Sequence, residues 1–520
     1  MASIPVIIGV ADVKNKTGQH KEPANLMLEA ILSAIEDTCS PKDQLRSQID
    51  AIDVVRTWTW AYADLPGLLS EKLGLRQRPK WTRYTATHGG NQPAKLVDEA
   101  AVRIARGETT VAVVTGGEAL ASLTASARAG IAEPPGWTKP DTPVQDVAFR
   151  LLTQLQLENI GGIHSIGAPI HIYPLYENAF RAHRGQTPRE NNDESASLYA
   201  DFAKVAAENQ YSWNYGKQPT SKEEIGTVSR RNRMICSPYP LLMNAFNTVN
   251  LAAACILTSV EKAKELGVPE EKWIYPLGGA GRKEREHFWE RPNFFHSEAI
   301  SLALDDCMAS SGVKIDDIDA LDLYSCFPIV PKLACHHLGL PVLNPIKPLT
   351  LLGGLTSFGG AGNNYSMHAI TEMCRQIRHG KFRKGLVLAN GGVLSYQHAI
   401  CLSSVSRGHG SFYPDSRVSS DAVVDEPAPT VETFAEGEAL IETYTVEFGR
   451  DGKPETAFII GRLEANGRRF VANHGDQRTL QRVSSALEEQ VGKKGYVSIM
   501  RTSKGEPERN LFFLGPKPGL

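Results

Sequence analysis

The pattern of apolar and polar positions changes period several times along the chain, and the changes themselves repeat. Apolar residues recurring every three to four positions predict a helix over 25–38. It leads to Ile49-Asp50-Ala51-Ile52-Asp53-Val54-Val55, a short apolar strand with alternating acids. The same phrase returns as a helix over 298–310 followed by Ile318-Asp319-Ala320-Leu321-Asp322-Leu323-Tyr324. Both copies then continue alike. The first predicts a helix over 91–106, a turn at Gly107 and a strand over 110–114 running into Gly116-Gly117. The second predicts a helix over 364–378, a turn at Gly380 and a strand over 385–389 running into Gly391-Gly392. The offset between copies is about 270 positions throughout, which marks a duplication. Helices alternating with short apolar strands predict α/β halves, each a sheet covered by helices. Two such halves predict a pseudo-twofold, with sites where strand ends and helix N-termini of both copies converge.

Between the halves, residues 125–234 break the rhythm. This stretch is rich in Pro, Gly, Tyr, Asn and charge, and predicts one helix over 195–209. A long insertion of this kind reads equally as a ligand-binding lid or as packing. Residues 403–430 are rich in Ser, Pro, Asp and Gly and read as a linker. Beyond them the period becomes two. Strands are predicted over 440–448, 456–463, 469–472, 496–500 and 510–513, with a helix over 477–491. Five short strands and one helix predict a small β-barrel of the oligonucleotide-binding type. The expected domains are an N-terminal half over 1–275 that includes the insertion, a C-terminal half over 276–405, a linker over 406–430 and a barrel over 431–520.

Composition narrows the function classes. The chain has 520 residues, too many for one core. A net charge of −2 provides no global field for nucleic acid or an anionic membrane. Basic residues of the tail such as Arg468, Arg469 and Lys493 are matched by acids, so no nucleic acid is expected. The eight Cys contain no CxxC spacing and read as reduced thiols, neither a disulfide frame nor a metal site. No basic segment precedes an apolar run at the N-terminus, and no apolar run approaches the ~20 residues of a membrane span. Pro518-Gly519-Leu520 is not the Ser-Lys-Leu peroxisomal address. The expectation is a cytoplasmic protein, with peroxisome and mitochondrion left open. No Walker loop, HExxH or dinucleotide fingerprint is present. Gly162-Ile163-His164-Ser165-Ile166-Gly167 misses the hydrolase elbow by one residue.

Four segments carry a resemblance. They are Tyr84-Thr85-Ala86-Thr87-His88-Gly89-Gly90-Asn91, Tyr324-Ser325-Cys326-Phe327, the glycine stretch from Gly353 to Gly362, and Ala389-Asn390-Gly391-Gly392. On these the chain resembles the thiolase superfamily, and within it the type 1 thiolase-like proteins with an additional C-terminal domain. The resemblance implies duplicated βαβαβ halves in a layered α/β/α/β/α arrangement. It also implies a coenzyme A thioester as substrate or ligand, with no other cofactor. The shaping glycines match the superfamily and the chemical groups depart from it. His88 stands where thiolases carry the nucleophilic Cys, and Gly360 stands where they carry the catalytic His.

A thiolase needs a thiolate, a second acid or base, and oxyanion donors. A helix N-terminus lowers a thiol's pKa, which explains the nucleophile's usual place. His88 cannot hold a stable thioester. It is a candidate general base or a donor to a carbonyl, against the plainer role of capping a helix. Cys326 matches the acid/base Cys of sterol-carrier-protein-type thiolases, and is a candidate nucleophile or a packed thiol. Tyr324 is a candidate acid or enolate partner, as in the Tyr-dependent steroid side-chain aldolases that pair with a separate small barrel. For substrate binding the candidates are Gly359, Gly360 and Gly391 through their backbone, with Asn244 and His398. His171, Tyr173 and Asn247 are weaker candidates. The function expected is an acyltransferase with a non-standard site. The alternatives are a retro-aldol carbon–carbon lyase and a non-catalytic acyl-CoA binder or scaffold. Monomer and homodimer both remain open.

Overall fold

A computed structural model describes residues 3–16, 20–142, 159–408, 412–414 and 422–515. The first copy of the repeat builds a five-stranded sheet from β1 (Pro5–Lys14), β2 (Ile49–Val54), β3 (Trp81–Tyr84) and β4 (Val111–Ala119). It is completed by β7 (Asn250–Ser259), which follows β5 (Met234–Cys236) and β6 (Tyr239–Pro240) in the chain. Its strand order is β1-β7-β4-β2-β3. The second copy builds a four-stranded sheet from β8 (Tyr275–Lys283), β9 (Ala320–Leu323), β10 (Lys384–Gly391) and β11 (Tyr396–Ser403), in the order β8-β11-β10-β9. The two orders superimpose strand for strand, apart from the extra edge strand β3. In both, the β4–β2 and β10–β9 pairs are parallel and the rest of the shared order is antiparallel.

The repeated acids have structural work that explains their recurrence. Asp50 accepts the backbone N–H groups of Thr110 and Val111 at the start of β4. Asp319, its counterpart, accepts those of Arg383 and Lys384 at the start of β10, at 2.8 and 2.9 Å. Each carboxylate thereby sets the entry of the next strand. The paired turns also match. Gly107 and Gly380 take φ of 71° and 72°, where a side chain would be strained.

The helices Gln92–Ala105 and Tyr365–Arg378 lie side by side between the two sheets, each touching strands of both. Pro23–Asp37 covers the outer face of the first sheet and Glu298–Ser311 that of the second. This is the α/β/α/β/α order of layers. The central helices are buried on most faces, with Leu96, Val97, Ala100, Met367, Ile370 and Met373 at 0–1% exposure. Burial of this kind, between two sheets, supplies the main core.

The insertion holds two long helices, Pro169–His183 and Pro188–Glu208. The second begins earlier than the expected 195, because Thr187 and Glu190 form a reciprocal capping box. Residues 143–158 of the insertion lie outside the described residues. So do 409–411 and 415–421 of the expected linker. The linker's described parts pack on the body: Val424 pairs with Lys283, and the Tyr413 hydroxyl donates to Asp98 at 2.6 Å.

The C-terminal strands β12 (Gly437–Phe448), β13 (Pro454–Leu463), β14 (Arg469–His474), β15 (Lys494–Arg501) and β16 (Pro507–Phe513) close into a five-stranded barrel. β5 of the insertion extends this sheet through Cys236 opposite Glu447. The barrel helix stops at Val483, short of the expected 491. There the Ser484 hydroxyl turns back to the Gln481 carbonyl and the Ser485 hydroxyl accepts from Leu487 N–H, local bonds that compete with the helix. Among the described residues no helix is long and apolar enough to cross a membrane, and all eight Cys are free thiols.

Leu96→Ala in the central layer is expected to cost about 2–5 kcal/mol of stability, the usual range for a buried leucine. Leu487→Ala, at 95% exposure, is expected to stay within about 0.5 kcal/mol. Denaturant unfolding of the full chain measures both.

Candidate active site

The C-terminal ends of β9 and β10, the loop after β3 and the glycine stretch all arrive at one end of the layered body. Between them and the N-terminus of Pro169–His183 lies a cavity of about 430 Å³. Open α/β sheets place ligands at such strand ends.

Glycine makes the meeting possible. The Gly391 backbone packs directly on the 89–90 loop: a Cβ at Gly391 would sit 2.9 Å from Gly89 Cα and 3.1 Å from Gly90 N. A Cβ at Gly90 would sit 2.4 Å from the Tyr324 hydroxyl and 2.6 Å from the Asn390 carbonyl. Neither position has room for a side chain, and both line the cavity.

His88 also lines the cavity. The Asn363 amide nitrogen donates to the Arg56 carbonyl at 2.9 Å and lies 3.0 Å from His88 Nδ1. With that nitrogen turned to the ring, Nδ1 accepts and the neutral imidazole carries its proton on Nε2. Burial, and then the Arg56 charge, push the His88 pKa down to about 4. At neutral pH His88 is therefore a hydrogen-bond donor and carries no charge.

Cys326 follows β9 and faces Asn390 at the end of β10. Gln397, opposite on β11, donates to Asn390 Oδ1 at 2.7 Å. Asn390 Nδ2 is thereby turned to the Tyr173 hydroxyl at 2.9 Å and the Cys326 sulfur at 3.8 Å. The Tyr173 hydroxyl donates in turn to the Gly392 carbonyl at 3.0 Å. Burial pushes the Cys326 thiol up to about 12, so it is protonated at neutral pH. Burial, and then the neighbouring Cys326, also raise Tyr324 well above its ordinary value. The Tyr324 hydroxyl has no hydrogen-bond partner among the described residues. Its backbone is fixed by a bond from its N–H to the Leu388 carbonyl.

A buried acid sits behind this wall. Glu118 accepts from the backbone N–H groups of Trp58 and Thr59 and from the Thr59 hydroxyl. A Cβ at Gly362 would lie 2.5 Å from its Oε1. With no cation beside it among the described residues, burial pushes its pKa up to about 8. Asp322 on β9 is raised the same way, to about 7, while holding the Leu351 and Leu352 N–H groups.

Of the residues singled out in the sequence, His88, Cys326, Tyr324, Gly391 and Asn244 line one cavity, with Tyr173 and Asn247 beside them. Gly359 and Gly360 do not. Gly360 N–H is committed to the Phe246 carbonyl at 2.7 Å, and Gly359 packs on Val249. His398 lies deeper on β11, with Nε2 3.0 Å from Asp98 of the central helix. His171 leaves the site to pack against Phe458 of the barrel, the rings tilted at 39° with centroids 4.6 Å apart. Asn390, Asn363 and Trp58 also line it. Asn390 stands in the quoted Asn-Gly-Gly motif, and its place at a strand end was the available signal.

The geometry has known counterparts. A family model described as the thiolase-like protein type 1 additional C-terminal domain matches residues 420–500. Across the whole chain, the structure is similar to the crystal structure of a monomeric SCP2-thiolase like protein type 1 from Mycobacterium smegmatis. The identity is 31%, coverage is 98% of this chain and 99% of that one, and the TM-score is 0.80. The chain belongs to the SCP2-thiolase-like proteins of type 1. More distant likenesses carry the fold alone. The Ltp2-ChsH2(DUF35) aldolase is 19% identical over 77% of this chain and 98% of that one, with a TM-score of 0.57. Acetyl-CoA acetyltransferase from Syntrophomonas wolfei is 18% identical over 78% of this chain and all of that one, with a TM-score of 0.56. Among curated proteins, none matches the sequence.

In this type 1 thiolase-like protein the cavity wall contains no Asp, Glu, Lys or Arg among the described residues. Its polar groups are neutral amides, a neutral imidazole, phenols and a protonated thiol. Such a wall donates hydrogen bonds to an uncharged oxygen and leaves a buried ion unpaired.

The raised acids set a pH trend. An acid whose folded pKa lies above its unfolded value stabilises fully below the unfolded value, and that stability is lost as pH rises through the folded one. For Glu118 the window runs from 4.5 to about 8. Glu118→Gln is expected to flatten the loss of thermal stability over that window. Melting curves across the range, wild type against variant, measure it.

Proposed function

We propose that the cavity takes the acyl end of a coenzyme A thioester and polarises its carbonyl oxygen through neutral donors, without forming an acyl-enzyme. The observation that carries this reading is a wall free of ionised side chains among the described residues, lined by neutral His88 and by the uncommitted Tyr324 hydroxyl, while the Asn363 and Asn390 amides are spent on holding His88, Tyr173 and Cys326. The superfamily fold, found in an acetyl-CoA acetyltransferase among others, supports the ligand class. An acyl transfer through Cys326 is disfavoured. Its thiol is held near 12, and its neighbours Asn390 and Tyr173 are not bases at neutral pH. His88, its proton on Nε2, offers no lone pair there to activate a nucleophile.

A second reading is favoured by one observation, the uncommitted hydroxyl of Tyr324. In a retro-aldol cleavage the β-hydroxyl passes its proton to the Tyr324 oxygen, the Cα–Cβ bond breaks to leave an aldehyde or ketone, and the electron pair of that bond enters the thioester as an enolate. Tyr324 would return its own phenolic proton to the α-carbon and end neutral, while His88 would donate to the enolate oxygen. The likeness to an aldolase built from two components is an analogy to this reading and carries the fold only.

Calorimetry and thermal shift against coenzyme A and an acyl-CoA series test the first reading. Acyl-CoA is expected to raise the melting temperature more than free coenzyme A. Cys326→Ala is expected to keep its affinity. His88→Ala and Tyr324→Phe are each expected to weaken binding about threefold to tenfold, the worth of one hydrogen bond. An acyl adduct on Cys326 in the intact-mass spectrum, or no shift with any coenzyme A species, overturns it. Release of an aldehyde or ketone from a 3-hydroxyacyl-CoA, abolished in Tyr324→Phe, would establish the second.

The relative from Mycobacterium smegmatis is described as monomeric. We expect the same here, and light scattering is expected to return the mass of one chain. A mass of two chains refutes it.

A further inference from the structure

Two buried arginines connect the barrel to the cavity. Arg469 on β14 is fully buried. Its guanidinium meets both oxygens of Glu442, at 2.8 and 2.6 Å, within the barrel. Its remaining N–H groups leave the barrel and donate to three successive stations of the body: the carbonyls of Trp289 (3.0 Å), Arg291 and Pro292 (3.0 Å). Arg291, also fully buried, passes the constraint on. It donates to the Val393 carbonyl at 2.7 Å, the Ser395 hydroxyl at 3.0 Å and the Tyr176 hydroxyl at 3.1 Å. Gly392 and Val393 are cavity wall. The same turn takes Leu394 into the left-handed region, at φ 59°, a conformation that a β-bearing residue holds only when its surroundings impose it.

The second connection runs through the helix Pro169–His183. Its first turns line the cavity with Pro169, Ile170 and Tyr173. Its later turns are gripped by the barrel. Thr443 donates to the Leu175 carbonyl at 2.6 Å, and Asn178 donates to the Tyr444 carbonyl at 2.9 Å. Arg181, fully buried, reaches the Tyr444 hydroxyl and the Glu489 carboxylate. Both connections end on the same turn, because the Tyr173 hydroxyl donates to the Gly392 carbonyl and accepts from Leu394 N–H at 3.3 Å.

We propose that the C-terminal barrel is a positioning element for the cavity, and that Arg469 is its positioning residue, acting through Arg291 on the Gly391–Ser395 turn and hence on Tyr173, Asn390 and Cys326. The inference holds whatever ligand the cavity takes, so its test does not use one.

Arg469→Ala removes the donor to the three body carbonyls. Glu442 is not orphaned, because Arg462 still holds it at 2.7 and 3.1 Å. Arg462→Ala is the matched control: it removes a Glu442 partner of the barrel and leaves the body carbonyls untouched. The readouts are the alkylation rate of Cys326 by iodoacetamide, followed by peptide mass spectrometry in a Cys39→Ser background, and amide exchange over 391–395. Cys39 is the exposed thiol and would otherwise consume reagent. We expect Arg469→Ala to speed Cys326 alkylation at least about tenfold and to raise exchange over 391–395, since local opening governs both. Arg462→Ala is expected to leave both at wild-type values. Equal changes in the two variants, or no change in Arg469→Ala, overturn the proposal. If Arg469→Ala does not fold, Arg469→Lys is read the same way: it keeps the charge and loses the fork that spans the three carbonyls. Wild-type rates in Arg469→Lys would then overturn it.

Discussion

The structure depends on a backbone contact between its two halves. The loop after β3 and the end of β10 touch at Gly89, Gly90 and Gly391, and Asn91 Oδ1 lies over two of these glycines. A side chain at Gly90 or Gly391 would run into the backbone of the other half. The contact exists because the two sheets share one strand order about a common central helical layer, which brings equivalent strand ends to the same edge. Tyr324, Asn390 and Cys326 have their positions from it. The Tyr324 hydroxyl occupies the space that a Gly90 side chain would take, and Asn390 immediately precedes Gly391.

A cavity built this way buries its polar groups, and burial decides their electrostatics. Desolvation comes first among the causes that shift His88, Cys326, Tyr324 and Glu118, and in every case it favours the neutral form. Glu118 and Asp322, both raised by burial, hold backbone N–H groups of the loops that bear the site. They shape the wall from behind. His88, neutral and bonded to Asn363, shares this wall with the protonated Cys326. A thiolate needs a local field to ionise, and among the described residues this wall brings no cation to Cys326.

The duplicated layers were legible because period carries burial. The paired Ile-Asp-Ala phrases even mark equivalent jobs, with Asp50 and Asp319 each starting the next strand. The site was partly legible: the motif residues His88, Tyr324, Cys326 and Gly391 converge, and Asn244 joins them. His398 looked similar, a polar residue after a Gly-Gly turn. Register decides against it, since pairing with Ala389 turns its side chain to Asp98 in the central layer. Gly360 resembled an amide donor, and only the tertiary bond from its N–H to Phe246 removes it. Asn363 and Asn390 act through partners more than 200 positions away, namely His88 and Tyr173, and no local pattern encodes that.

The helix Pro169–His183 had no readable period for a different reason. Residues 171–181 are buried without interruption, and a helix buried all round has no polar stripe. The polar residues among them are the signature of the second burying surface. Glu177 holds the buried Lys332 and Tyr239, while Asn178 and Arg181 meet the barrel. Buried polar groups require partners, and removing one partner of a buried charge costs about 3–5 kcal/mol. The helix is therefore committed to two neighbours at once, the body that shares its cavity face and the barrel that shares the other. A domain appended for solubility alone would meet its host through exposed, replaceable contacts. This one is joined through fully buried guanidiniums, and their bonds lead to the cavity wall.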